Sequence, residues 1–431
     1  MPVLLRGAAL LAGLALVGLT GCEEERGVGR AERGKSLERA SALSASIAKA
    51  LRCPGGSWPM YAHDARRTGA TVGCCRAPLS PLWSFVPPPK PPRESRIHHA
   101  IATKDMIFAS GVIGESPSVF ALNHDGKLVW TFDSHVDITR HEWPSYVLDR
   151  VILNDDGLYI LDPRSGEQEV NRGLDSWGQV ITNGRNLFAT NTWYIAGPKT
   201  YVGALEAGGA PLWKHHQYGV VREDVMDRLG GIAIGGDLLV FAPNYTPSPG
   251  SGVYGHATED GAFRFSMTTL PRSHVTFVGE TLYLFERLEG AEVETLVARG
   301  ANDGKVRWTF NAESLNPTAP VAVQGKVIFR EKGGAVVAVR RGEGTLAWRT
   351  PLAPPEAGEV GWATSLAAAS GSSTLLAVDG KELAVLSLDD GRVEWRGRPG
   401  LTAAPHSPVI AGGRLYVTHG TGLAALGCAP P

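Results

Sequence analysis

The chain has 431 residues, with 42 basic and 43 acidic side chains and a formal net charge of −1 at pH 7. So even a balance excludes nucleic-acid binding driven by phosphate attraction. The length allows one large domain or two ordinary ones.

Residues 1–21 read as a secretory signal: a basic start at Arg6, an apolar run from Ala8 to Leu19 and a small-residue close at Gly21. The run is too short for a membrane span of about twenty residues. Leu19-Thr20-Gly21-Cys22 resembles the lipobox of bacterial lipoproteins, which makes Cys22 the expected acyl anchor. Glu23 follows it, not the Asp of inner-membrane retention, so outer-membrane sorting is expected. Residues 22–57 read as a tether, with Leu37, Leu43, Ile47 and Leu51 near one helical face. Its "SIAK", Ser46 to Lys49, lacks the partner motifs of the penicillin-recognising enzymes and reads as chance. The remaining cysteines, Cys53, Cys74, Cys75 and Cys428, are even in number, which in an exported chain predicts two disulfides.

Residues 58–80 form a lead-in that begins "WPMYAHDARRTG". From about residue 119 a pattern then recurs: β-branched and small apolar residues, a turn, and Gly-x-x-x-aromatic. Its last positions are Trp130, Val170, Trp213, Phe265, Trp308, Trp348 and Trp395, each four residues after a glycine. Period-2 apolar runs bounded by Asp, Asn and Gly are strands joined by tight turns, so each unit contains a hairpin. Two further apolar runs precede most hairpins, as in "VTFVGETLYLFER". Four strands every 40 to 52 residues are the signature of propeller blades and not of a helical solenoid.

The last segment, "SPVIAGGRLYVTHGTGLAALGC", supplies three strands and stops where the tryptophan strand is due. That strand stands near the other end as "SPLWSF", with Trp83 lying 47 residues ahead of Trp130. The expected fold is all-β: an eight-bladed propeller over 81–431, with the last blade closed by the N-terminal strand. Cys428 then ends beside the cysteine pair, where other blades have a covalent turn. A bond from Cys428 to Cys74 or Cys75 would replace that turn. The other neighbour would take Cys53, unless the two neighbours bond each other.

The Gly-x-x-x-Trp units resemble the tryptophan-docking repeats of the pyrroloquinoline-quinone-type propellers, and Trp58–Gly69 is similar to the segment preceding the first strand in bacterial members. Each aromatic, Trp83 included, is expected in the core between adjacent blades with its indole N–H on a backbone carbonyl. Val170 and Phe265 are the departures. The resemblance also implies a possible quinone dehydrogenase, with calcium on Glu, Asn and Asp oxygens and, in some members, a disulfide between adjacent cysteines. Here the pair Cys74-Cys75 precedes the closing strand instead of lying on a loop within the ring, so this is the third reading.

Other catalytic sets are missing from the sequence. There is no Gly-x-Ser-x-Gly elbow, no His-Glu-x-x-His and no phosphate loop. His98-His99 and His215-His216 are neighbours on strands, facing opposite ways, and read as solvated side chains instead of metal ligands. Asp155-Asp156 and Asp389-Asp390 read as turn formers. No catalytic residue, cofactor or metal is expected. A lipid-anchored propeller is similar to the scaffold lipoprotein of the outer-membrane β-barrel assembly machinery. This implies a monomeric, periplasm-facing scaffold that holds protein partners of the cell envelope through loops on one face, and touches the membrane through its lipid alone. The alternative is a propeller that binds a small ligand or glycan, with "FAPNYTPSPGSGVYG", Phe241 to Gly255, and its Tyr245 as the longest irregular insertion.

Overall fold

The computed structural model describes residues 56–429 apart from 92–93, 115, 134–143, 155–157, 173–179, 194–198, 219–230, 243–251, 288–293, 313–318, 332 and 355–365. Eight antiparallel sheets succeed one another along the chain. Blade one consists of Arg96–Ala102, Ile107–Ile113, Ser116–Leu122 and Leu128–Asp133. Blade seven consists of Leu366–Ala369, Thr374–Asp379, Glu382–Ser387 and Val393–Gly397. Blade eight takes Pro405–Ala411, Arg414–His419 and Gly422–Ala429 from the C-terminal end, and Arg76–Phe85 from the other end as its fourth strand. Trp83 pairs with Ala425 and Phe85 with Leu423, so the ring is an eight-bladed propeller closed as the repeat count requires.

Burial falls from the axis outward, and the sequence pattern follows it. Second and third strands are covered on both faces and read as unbroken apolar runs, as in Leu158–Leu161 and Val336–Arg340. Fourth strands have one face toward solvent and alternate, as in Val306–Asn311 and Val393–Gly397. The short first strands contact one another around the ring, which puts them at its axis. Because each blade is a meander, the turns after first and third strands leave from one face. The connections after second and fourth strands leave from the other.

Candidate functional site at the ring axis and the blade-eight seam

The lead-in runs along the inside of the ring. Its backbone bonds the inner strands or their turns in order: Gly412 N–H donates to Gly56 O (2.9 Å), Trp58 and Ala102 exchange two bonds (2.6 and 2.9 Å), and Tyr146 N–H donates to Pro59 O (2.7 Å). Ile234 then donates to Ala65 O, Phe277 to Arg66 O, Ala322 to Thr68 O and Ala368 to Gly69 O, at 2.7–3.0 Å. Blades eight, one, two, four, five, six and seven are met in a single circuit. Ala70–Thr71 finally adds a short parallel strand to blade seven. Almost all of these acceptors meet the first strands near their closing turns, so the circuit lies at the short-turn end of the axis.

Side chains fill the circuit. Trp58, Met60, Tyr61 and Arg67 are all buried. The Arg67 guanidinium donates to Tyr61 O (2.6 Å) and Ile232 O (3.0 Å), and lies 5.2 Å from the Tyr61 ring centre. Thr276 Oγ1 donates to Arg67 O at 3.1 Å, and Ala319 N–H to the Tyr61 hydroxyl at 3.3 Å. Burial lowers the Arg67 pKa to about 10 and raises that of Tyr61, so both keep their ordinary charge near neutrality. Burial, then the Arg67 charge, pushes neighbouring His274 down to about 3, leaving it a neutral ring. The left-handed backbone of Ala62, His63 and Arg67 is strain that only a well-bonded segment can hold.

Outside the axis, blades are joined by tryptophans. Trp308 Nε1 donates to Arg341 O at 2.8 Å, and its ring lies against Gly344 of the next blade. A Cβ on Gly344 would fall 2.7 Å from the indole, and the residue has φ +70°. The glycine therefore serves both the turn and the neighbour's docking surface. Trp83, Trp130, Trp213 and Trp348 make the same bond to His124, Pro163, Thr258 and Leu388. Trp130 and Trp348 are buried, whereas Trp83, Trp213, Trp308 and Trp395 are half-buried, because these outer strands meet solvent. Blade four departs further than its sequence suggested. Phe265 lies over Gly255 of its own blade, and the more adaptable Met267, two residues on, covers Gly304 instead. Val170 is half-buried against the cluster shared with blade three.

Trp395 has no indole bond among the described residues, and the topology explains this. The turn that should receive it would join the third and fourth strands of blade eight, which come from opposite ends of the chain. Cys75 is disulfide-bonded there to Cys428, 353 positions away. Cys75 N–H donates to Ser372 Oγ (3.0 Å), Ser370 Oγ to Thr71 O (3.0 Å) and Gly371 N–H to Gly73 O (3.2 Å). The cysteine segment thus fastens blade seven to blade eight where a docked tryptophan is missing. Cys74 is also disulfide-bonded, so the neighbours are not bonded to each other. Cys22, Cys53, Ser46 to Lys49, Asp155-Asp156 and Tyr245 lie outside the described residues, as does the middle of the Phe241–Gly255 insertion.

The histidine pairs need correction. His98 and His99 are buried, not solvated: they stand on the inner strand Arg96–Ala102, where a bulge between Ile97 and His99 breaks strict alternation. His215 is half-buried and stacks on His256 of the next blade, ring centres 4.9 Å apart. Asp390 caps its own turn by accepting from Arg392 N–H at 3.1 Å. Among the described residues, no three His, Cys, Asp or Glu side chains converge as metal ligands. The lead-in along the axis and the bonding of Cys75 to Cys428 instead of to its neighbour do not fit a quinone–calcium centre.

The family described as outer membrane protein assembly factor BamB matches residues 198–429. No curated protein matches the chain. Among solved structures, BamB from Moraxella catarrhalis is similar with a TM-score of 0.57 at 14% identity, over 81% of this chain and 99% of that one. Quinohemoprotein alcohol dehydrogenase from Comamonas testosteroni gives 0.61 at 12% identity, over 86% of this chain and 81% of that one. The computationally designed Ika8 protein gives 0.58 at 12% identity, over 81% of this chain and 100% of that one. A dehydrogenase, an assembly factor and a design on one architecture show that these likenesses speak for fold alone.

Proposed function

This chain belongs to the family of the outer membrane protein assembly factor BamB, and from that premise we propose that it is a non-catalytic, periplasm-facing scaffold holding protein partners during outer-membrane protein assembly. The observation that carries this reading is the occupied axis. A propeller enzyme or ligand-binding funnel uses its centre, whereas here the chain's own lead-in bonds to inner strands or turns of seven blades. The surfaces left for recognition are the faces and the outer strands. Of the two faces, the short-turn face is committed to internal contacts: its turns receive the docked tryptophans, and Asp162 and Asp390 cap their own turns. The opposite face, with the longer connections, is the proposed docking face. Residues 1–21 would be removed on export, Cys22 would carry the lipid, and the stretch from Cys22 to the point where Gly56 meets blade eight would act as the tether.

Pull-down of the full chain from detergent-solubilised membranes tests the reading. Recovery of an outer-membrane barrel or an assembly component is expected, and Cys22→Ala should release the protein into the soluble fraction without abolishing capture. Recovery of neither kind of partner, or quinone-dependent dye reduction by the purified protein, would overturn it.

A further inference from the structure

Blade eight carries a polar group that neither ring closure nor the scaffold reading uses. His419 ends the strand Arg414–His419 and is buried. Both of its ring nitrogens face hydroxyls: Ser84 Oγ is 3.3 Å from Nε2 and Thr402 Oγ1 is 3.2 Å from Nδ1. Ser84 belongs to the N-terminal strand and Thr402 to the connection from blade seven. The strand between those of Ser84 and His419 contributes Gly422, paired with His419, so no side chain intervenes there. Behind His419, His406 is held by Thr418 Oγ1 at 2.5 Å.

The remaining member is Arg398, on the same connection as Thr402. Its neighbour Arg396 pairs with Asp379 at 2.9 Å, but Arg398 makes no ion pair among the described residues, and its buried Nε has no hydrogen-bond partner. Arg398 is half-buried, so its terminal nitrogens can reach an incoming acceptor while its Nε, closed off from water, is left without one. The charge acts on His419, whose pKa is lowered by burial first and by Arg398 second. One fixed cation, two hydroxyls and an imidazole, with no carboxylate among them, are the donor set for an oxygen anion.

We infer that blade eight holds an oxyanion site formed by Arg398, His419, Ser84 and Thr402, which takes a carboxylate or a phosphate group. Bound, the anion accepts from the guanidinium and the hydroxyls, and favours a proton on His419. The site does not depend on the scaffold reading.

The test is a titration of the full chain with inorganic phosphate, and separately with acetate, read on the His419 ring signals by NMR and assigned by their loss in His419→Asn. Saturable shifts with at least one anion are expected, together with a rise in the His419 pKa. The anion that saturates at the lower concentration identifies the class. Arg398→Gln should weaken binding about tenfold or more, and Arg398→Lys should restore part of it. Arg398→Gln should also raise the His419 pKa without any anion, since the repelling charge is gone. Ser84→Ala, at an exposed position, should weaken binding less and leave the fold intact. No saturation with either anion, or equal binding in Arg398→Gln, would overturn the site.

Discussion

At the residue scale, the Trp308–Gly344 contact gives the sharpest expectations. Trp308→Ala removes a half-buried ring and its bond to Arg341 O, and should cost about 3 kcal/mol, read from the urea midpoint. Gly344→Ala should cost about 2 kcal/mol or more, because a Cβ there meets both a left-handed backbone and the indole. Trp395→Ala should cost less than Trp308→Ala, since no carbonyl loses a donor; an equal loss would refute the account of the missing turn. The buried histidines set a pH dependence. His274 and His406 are pushed from 6.5 to about 3 and about 4, by burial first and then by Arg67 and His419 respectively. Their stability term is complete above about pH 6.5 and is lost as pH falls below it, because the unfolded chain takes up protons that the folded one refuses. The loss is about 1.4 kcal/mol per pH unit for each histidine. Urea midpoints at pH 7.5, 6 and 5 should decline in that order, and a flat profile would refute it.

At the element scale, the blades were legible because a glycine and an aromatic at fixed spacing repeat a backbone requirement and a packing requirement together. The docking of Met267 was not legible: Phe265 holds the register position of the other aromatics, but it faces Gly255, which has no Cβ, and its ring lies over its own blade. The burial of His98 and His99 was missed because their inner strand carries a bulge and is covered on both sides. Spacing brought Cys428 beside the cysteine pair, yet the choice of Cys75 rests on its position against Ser372. Removing that link in a Cys75→Ala, Cys428→Ala double variant should cost up to about 6 kcal/mol by the chain-entropy argument for residues 353 apart. Hydrogen exchange should quicken first in Gly422–Ala429 and Arg76–Phe85. Faster exchange spread equally over all blades would count against a seam held by the cysteine segment.

At the scale of the whole molecule, the axial circuit was the least legible feature, since its bonds are made by backbone groups, which leave no pattern in side chains. The sequence marked Trp58–Gly69 only by likeness to a lead-in. A chain starting at Cys53, which keeps the cysteine expected to pair with Cys74, should keep the full-length urea midpoint, whereas one starting at Arg76, which lacks the circuit and Cys75, should melt far lower and expose apolar surface to a dye. Equal stability of the two would show that the circuit is dispensable. The circuit also bears on the order of events during synthesis. Residues 56–85 emerge first, but their partners are spread from Ala102 to Cys428. Until the last strand is delivered, Trp58 has only part of its wall, and the eighth sheet has an unpaired edge. Closure of the ring therefore waits on Gly422–Ala429, one of the last segments of the chain to be made.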